Sequence, residues 1–247
     1  MRLSAFPAAF ALAVLAFAPA RLAAADAQSY LESASLFGSG AVIVARLEMR
    51  ITRSGSELSR ELELSLDRSG AGVKSLARIV KPAFLSGMNF LKLSSPGKPD
   101  AQWLKTSRGL RRLGDANRSE AVFDSDFTAE DFGSVSAAGF DFAFAPARDL
   151  GGARAIEARP KGAAPYALRV LYVDDATRIL TGMDYLDGAG KITKRYRVMS
   201  IDGQGETARP ASALMENLST GSSTRLAVLS LSKPAFLPER TFNPGSL

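Results

Sequence analysis

The sequence predicts a mainly β fold: a large antiparallel, curled and incompletely closed β-barrel of about ten or eleven strands, with a short N-terminal helix and a small mid-chain helix covering its mouth. Three observations predict it. Apolar and charged residues alternate with period two over most of the chain, and turn-forming pairs punctuate it at short intervals. Each strand offers one apolar face, which a single large sheet buries only by curling around a filling.

Residues 1–25 read as an export signal: Arg2, an apolar run from Ala5 to Ala18, and Ala23-Ala24-Ala25 suited to cleavage before Asp26. The run is too short to span a bilayer, and no later segment resembles a span. The remaining residues 26–247 are expected to form a single domain, since no linker, repeat or low-complexity stretch divides them. A short helix is expected to open it: Ser29 and Glu32 have capping-box spacing, Tyr30, Ala34 and Phe37 share a face, and Gly38 offers a stop.

The first two strands are the clearest. Ile43, Ala45, Leu47, Met49 and Ile51 oppose Arg46, Glu48, Arg50 and Thr52; after Ser54-Gly55-Ser56, Leu58, Leu62, Leu64 and Leu66 oppose Glu57, Glu61, Glu63 and Asp67. Further strands are expected across 73–81, 87–93, 102–107, 140–145, 153–160, 166–173, 179–186 and 192–201, with two more between Ala211 and Leu231. Lys81-Pro82, Pro96-Gly97-Lys98-Pro99, Gly151-Gly152, Asp187-Gly188 and Asp202-Gly203 separate them. Lys233 to Pro238 reads as an irregular strap.

Composition removes whole classes of chemistry. The chain has no Cys and no His, which excludes a Ser-His-Asp triad, a Cys-His pair, a disulfide and any thiolate or imidazole metal site. No catalytic residue, cofactor or metal is expected. The formal charge of +6, or +4 without Arg2 and Arg21, is spread out, so nucleic acid is a poor partner and mild attraction to anionic lipid a better one. Without a cysteine after the signal, the mature chain is expected as a soluble, unlipidated periplasmic protein and a monomer.

Between strands lies Asp124-Ser125-Asp126-Phe127-Thr128-Ala129-Glu130-Asp131-Phe132. Thr128 and Asp131 have the spacing of a helix start, with Glu130 and Asp131 placed for the positive end of a helix dipole. A carboxylate acid/base set of Asp126, Glu130 and Asp131 is the enzymatic alternative, but adjacent carboxylates point to different sides of a helix and no aromatic sugar platform surrounds them.

This segment, preceded by Trp103-Leu104-Lys105 and Arg111-Arg112-Leu113, resembles the bacterial outer-membrane lipoprotein-sorting proteins of the LolA/LolB-like superfamily, in the branch whose signature is close to GSDFTYEDL. Ser125, Asp126, Phe127, Thr128, Glu130 and Asp131 carry the motif; Asp124 replaces a glycine and Ala129 a tyrosine. Pro160, Asp187-Gly188-x-Gly190-Lys191, Lys194, Pro210, Asn217, Gly221 and Thr224 also look similar. The resemblance implies an open β-barrel with helices over its mouth, a periplasmic location and carriage of the acyl chains of a lipid or lipoprotein, taken from an inner-membrane transporter and passed to an outer-membrane acceptor. The candidates for lining an acyl groove are Leu47, Met49, Leu62, Leu64, Phe140, Phe142 and Phe144, with Trp103 at its mouth. A periplasmic accessory protein that docks on a membrane transporter and carries nothing is the competing reading.

Overall fold

The computed structural model describes residues 19–247 except 115, 116, 118 and 133–138, with side chains described from Asp26 onward. The export-signal residues 1–18 lie outside the described residues. Helix α1 (Pro19–Glu32) is followed by β1 (Val42–Arg53), β2 (Ser56–Asp67), β3 (Val73–Lys81), β4 (Asn89–Ser94), β5 (Ala101–Thr106) and β6 (Gly109–Leu113). Then come β7 (Phe140–Phe144), β8 (Ala153–Pro160), β9 (Leu168–Asp174), β10 (Leu180–Leu186), β11 (Ile192–Asp202), β12 (Arg209–Asn217) and β13 (Ser222–Ser232).

All thirteen strands join one sheet in the order β6-β5-β4-β3-β2-β1-β13-β12-β11-β10-β9-β8-β7. Two antiparallel meanders are thus zipped together by the pairing of β1 with β13, Met49 opposite Leu226 and Ile51 opposite Thr224. The edges are β6 and β7, consecutive in the chain, and among the described residues they do not pair. The described residues 120–132 of the connection between these edges pack against both halves of the sheet. No helix among the described residues is long and apolar enough to cross a membrane.

The period-two expectation holds for β1, where Ile43, Ala45, Leu47, Met49 and Ile51 are all buried. The turn after it is a two-residue loop, with Ser54 (φ 47°) and Gly55 (φ 79°) both left-handed, the geometry that matches strand twist in a tight hairpin. Strand β2 departs from the leucine stripe at two places. Leu58 is exposed, because β3 ends at Lys81 opposite Glu61 and leaves the start of β2 without a neighbour on that side. Arg60, in phase with the leucines, is buried instead.

Three expectations are corrected. Among the described residues thirteen strands form, more than ten or eleven; the one with no alternation to reveal it is β6, Gly109-Leu110-Arg111-Arg112-Leu113, which pairs with β5. The opening helix begins at Pro19, not at Ser29, because the alanine-rich stretch that precedes Ser29 is itself strongly helix-forming. It stops at Glu32, so Phe37 reaches the core from an extended segment in which Ser35 bridges Ile179. Gly38 is indeed left-handed (φ 73°), and an added Cβ there would lie 2.5 Å from the Ala208 carbonyl oxygen. The mid-chain helix does not form over the described residues: 128–132 make a turn closed by Asp131 N–H donating to the Thr128 carbonyl at 3.0 Å, and 133–138 lie outside them.

The sheet is not simply dry inside and wet outside. On the outer face Leu76, Leu91 and Phe242 pack with Trp103, Leu237 and Leu247, so the C-terminal strap covers an apolar patch. A second outer patch gathers Ala155, Leu168, Val170 and Tyr172.

Candidate functional site

The inner face carries two apolar clusters. One half of the barrel contributes Leu47, Met49, Leu62, Leu64, Ile79 and Phe90, packed with Val122, Phe123 and Ala129 of the crossing segment. The other contributes Phe140, Phe142, Ile156, Leu171 and Met215, packed with Phe127 of the same segment and with Ala27 and Leu31 of α1. Phe132 packs against both, its ring centroid 5.1 Å from Phe90 and 6.0 Å from Phe127. Residues 120–132 are thus a plug whose aromatic side chains occupy the space between the two halves.

Local chemistry shapes the plug. Ala121 and Thr128 bridge antiparallel, with Val122 N–H donating to the Phe127 carbonyl at 2.8 Å and Ala129 N–H to the Glu120 carbonyl at 3.0 Å. Inside this tight loop Phe123 (φ 56°) and Asp124 (φ 52°) are both left-handed, which is uncommon for residues other than glycine and persists where surrounding contacts enforce it. Ser125 Oγ donates to the Val122 carbonyl at 2.6 Å and accepts from Phe127 N–H at 3.2 Å.

Every polar side chain of the motif then reaches the wall or the plug itself. Asp126 accepts from the hydroxyls of Ser222 and Thr224, the latter at 2.7 Å, while Thr224 Oγ1 accepts from Asp126 N–H at 2.9 Å. Gln102 Nε2 donates to the Ala129 carbonyl at 2.9 Å. Thr128 N–H donates to Asp131 Oδ2 at 2.6 Å, the reach-back contact expected from the sequence, made here within a turn. Arg60 of β2 pairs with Asp124 at 3.1 Å.

The densest group is Glu130, Asp131, Tyr166, Arg169, Tyr185 and Lys194. Tyr166 OH donates to Glu130 Oε1, and Arg169 NH2 lies 3.4 Å from the same oxygen. Tyr185 OH donates to Asp131 Oδ1 at 2.7 Å, and Lys194 Nζ pairs with Asp131 Oδ2. The Arg169 guanidinium sits 4.7 Å from the Tyr166 ring centroid and 5.0 Å from that of Tyr185. Burial works to raise the Asp131 pKa, but the charges of Lys194 and Arg169 overcome it and hold the carboxyl below its ordinary range. Burial pushes the Tyr166 and Tyr185 hydroxyls up, so both stay protonated.

The structure brings Leu47, Met49, Leu62, Leu64, Phe140 and Phe142 to the same inner face, with Phe144 beside them against Tyr30 at 5.6 Å. It does not bring Trp103 there: that ring is on the outer face under the C-terminal strap, with the Arg112 guanidinium 5.7 Å from its centroid. Asp126, Glu130 and Asp131 do not converge on a shared open space, since each is committed to separate partners. A shallow cleft of about 380 Å3 opens elsewhere, at the rim where β3 ends, lined by Glu48, Arg60, Glu61, Lys81, Ala83 and Leu229.

Two residues noted only as scattered similarities, Lys194 and Thr224, turn out to hold the motif, one on Asp131 and the other on Asp126. A family model described as "Uncharacterized protein"-like matches residues 71–247, which includes the plug and both of these partners. The chain belongs to that family. Its fold is the LolA-superfamily fold: a LolA superfamily protein from Nitrosomonas europaea superposes with a TM-score of 0.67 at 18% identity, over 90% of this chain and 99% of the other. A protein described as an outer membrane lipoprotein-sorting protein domain, from Vibrio parahaemolyticus, gives 0.78 at 23% identity over 92% and 98%. A DUF1329 family protein from Desulfovibrio piger gives 0.79 at 19% over 93% and 99%. No curated protein matches the sequence. In this LolA-like barrel the residues that sequence reasoning missed are Arg60, Tyr166, Arg169, Tyr185 and Ser222. Arg169 had a signal: it is the one charge in Leu168-Arg169-Val170-Leu171-Tyr172-Val173, an otherwise apolar strand.

Proposed function

We propose that this protein is a non-catalytic periplasmic carrier that shelters the acyl chains of a lipid or lipoprotein on the inner face of its barrel and moves them between membranes. The observation that carries this reading is the plug: Phe123, Phe127 and Phe132 fill an apolar space between two halves of a sheet whose edges do not pair among the described residues. A segment that crosses an open barrel and is fastened mainly by side-chain contacts is a removable filling, and what replaces it must be apolar. Exposing a chain of about sixteen carbons to water costs on the order of 10 kcal/mol, so transit through an aqueous compartment requires such a shelter and no reactive group.

On this reading the plug and the guest compete for Leu47, Met49, Leu62 and Leu64 on one wall and Phe140 and Phe142 on the other. Export by residues 1–25, a monomeric mature chain, and a donor in the inner membrane with an acceptor in the outer membrane belong to the same proposal. The test is a search for co-purified lipid by mass spectrometry after mild extraction of periplasmic protein, followed by titration with a fluorescent acyl probe. Bound lipid and saturable displacement by the probe are expected; a protein that emerges empty and takes up no probe is an accessory protein instead.

A further inference from the structure

Four ionisable groups pair with one another where the plug meets the wall, three with buried side chains and Lys194 half-buried, and they divide unevenly between the two surfaces. The plug supplies only acceptors, the carboxylates of Glu130 and Asp131. The wall supplies only donors to them: Arg169 from β9, Lys194 from β11, and the hydroxyls of Tyr166 and Tyr185. Arg169 is 2% exposed; among the described residues its Nε and NH2 make no hydrogen bond, NH2 having only the 3.4 Å ion pair to Glu130.

Stability alone does not account for this arrangement. Removing two cations and two anions from water costs several kcal/mol per ion, and well-packed apolar residues of similar volume commonly do as well or better. If the plug leaves to admit a guest, the cost rises further, because Arg169 and Lys194 stay in an apolar wall without counter-ions. A guest that restores neutrality must present an anion at that point and an apolar body to the adjoining face of Phe140, Phe142 and Leu171. The rings around the Arg169 guanidinium keep it oriented; its Nε makes no hydrogen bond and its NH2 only the 3.4 Å ion pair to Glu130, so once that carboxylate withdraws the two nitrogens can take an oxyanion in the forked geometry that guanidinium favours.

We propose that Arg169, Lys194, Tyr166 and Tyr185 form a receptor for the acidic head, phosphate or carboxylate, of an acyl-bearing guest, and that Glu130 and Asp131 are its built-in stand-in while the barrel is empty. This rests on the carrier reading and deepens it, since it assigns the guest an anionic head at a fixed place. The plug motif then does two things at once: its phenylalanines imitate acyl chains and its carboxylates imitate the head.

The experiment compares a fluorescent long-chain fatty acid with its methyl ester at about pH 8, where a free carboxylate is ionised. Both are titrated into the full mature protein, into the double variant Glu130→Gln, Asp131→Asn and into Lys194→Met; inorganic phosphate is titrated separately. A hydrogen-bonded charge pair is worth enough that the acid should bind wild type about tenfold more tightly than the ester. The plug variant should bind the acid more tightly still, because the internal competitor is neutral, and in Lys194→Met the acid-to-ester ratio should fall toward one. Acid and ester binding equally well to wild type and to the plug variant would overturn the receptor and leave the carrier standing. No binding of either probe to either protein would overturn both. Inorganic phosphate binding as tightly as the acid would make this a free-anion site and overturn the acyl-head assignment. Where a variant fails to fold, the wild-type ratio of acid to ester decides by itself.

Discussion

Arg60 NH2 lies 3.1 Å from Asp124 Oδ2, and the pair is lopsided: the arginine side chain is 6% exposed and the aspartate 72%. The residue that interrupts the leucine stripe of β2 is therefore held by a plug residue that adopts a left-handed conformation (φ 52°) to reach it.

The two partners should respond unequally to substitution. Asp124→Gly relieves the backbone but strands a buried cation whose NH1 already lacks a partner, and should cost about 1–2 kcal/mol in urea unfolding. Arg60→Met removes the cation and its desolvation together and should stay within about 1 kcal/mol of wild type. Equal losses in both would mean that the pair contributes nothing through its charge.

Plug and wall pack as one core. Met49→Ala, at a site 1% exposed, should carry the usual core cost of about 2–5 kcal/mol. Phe132 is only partly buried, and Phe132→Ala should cost less while weakening the contact that ties both clusters to the plug. Acyl-probe uptake should therefore rise in Phe132→Ala and fall in Met49→Ala. Titration of both variants under conditions where each remains folded checks this.

The legible part of the fold was the alternating strand. Ile43 to Ile51 and Phe140 to Phe142 could be assigned a face because period two leaves no other solution for a half-buried sheet, and the motif at 124–132 could be seen to matter. What stayed hidden follows from three physical causes. Gly109–Leu113 has no pattern of its own and is a strand only because β5 lies beside it. Trp103 is expected at the groove mouth, but this sheet buries apolar patches on its outer face as well, and alternation cannot say which face is inner. The plug contacts of Tyr166, Arg169 and Tyr185 join them to Glu130 and Asp131, residues far apart in sequence that only the tertiary fold brings together.

Stability should depend on acid pH through the plug. The Asp131 carboxyl is held below its ordinary range in the fold by Lys194 and then Arg169, against burial, so the folded state favours the ionised form. That contribution is complete above the unfolded value of about 4 and is lost as pH falls through the lower folded value. Asp184 adds to it: burial opposes, but Arg197 and Arg195, at 2.8 and 3.0 Å, and the Tyr172 hydroxyl hold it low as well. Thermal midpoints should therefore drop steeply below about pH 4. In Asp131→Asn the absolute stability should be lower, but the acid limb should be shallower. An unchanged slope would mean that Asp131 titrates alike in the folded and unfolded chain.

The alkaline side should be governed partly by α1. Burial, followed by the hydrogen bond to Asp175, pushes Tyr30 up to about 12, so its stabilising contribution is present below the unfolded value of about 10 and fades as pH rises toward 12. Tyr30→Phe should flatten that limb in the same midpoint measurements.

The last prediction concerns where the mature chain begins. Helix α1 runs through the expected cleavage point between Ala25 and Asp26, yet the described docking contacts all lie after it: Ala27 and Leu31 are in the inner cluster, and Tyr30 meets Phe144, Asp175 and the Arg178 guanidinium, the last 4.1 Å from its ring centroid. A cut before Asp26 would leave seven helical residues, too few to be stable in isolation, because helix nucleation is costly and short helices survive only by packing. Packing is what those residues have. Periplasmic protein should therefore give an intact mass beginning at Asp26, and the shortened helix should remain docked. Leu31→Ala should then destabilise the mature protein by about 2 kcal/mol or more, as at other buried leucines. A mature chain that retains Met1, or a mature Leu31→Ala variant as stable as wild type, would mean that the helix is held by its first half and that the cut does not fall there.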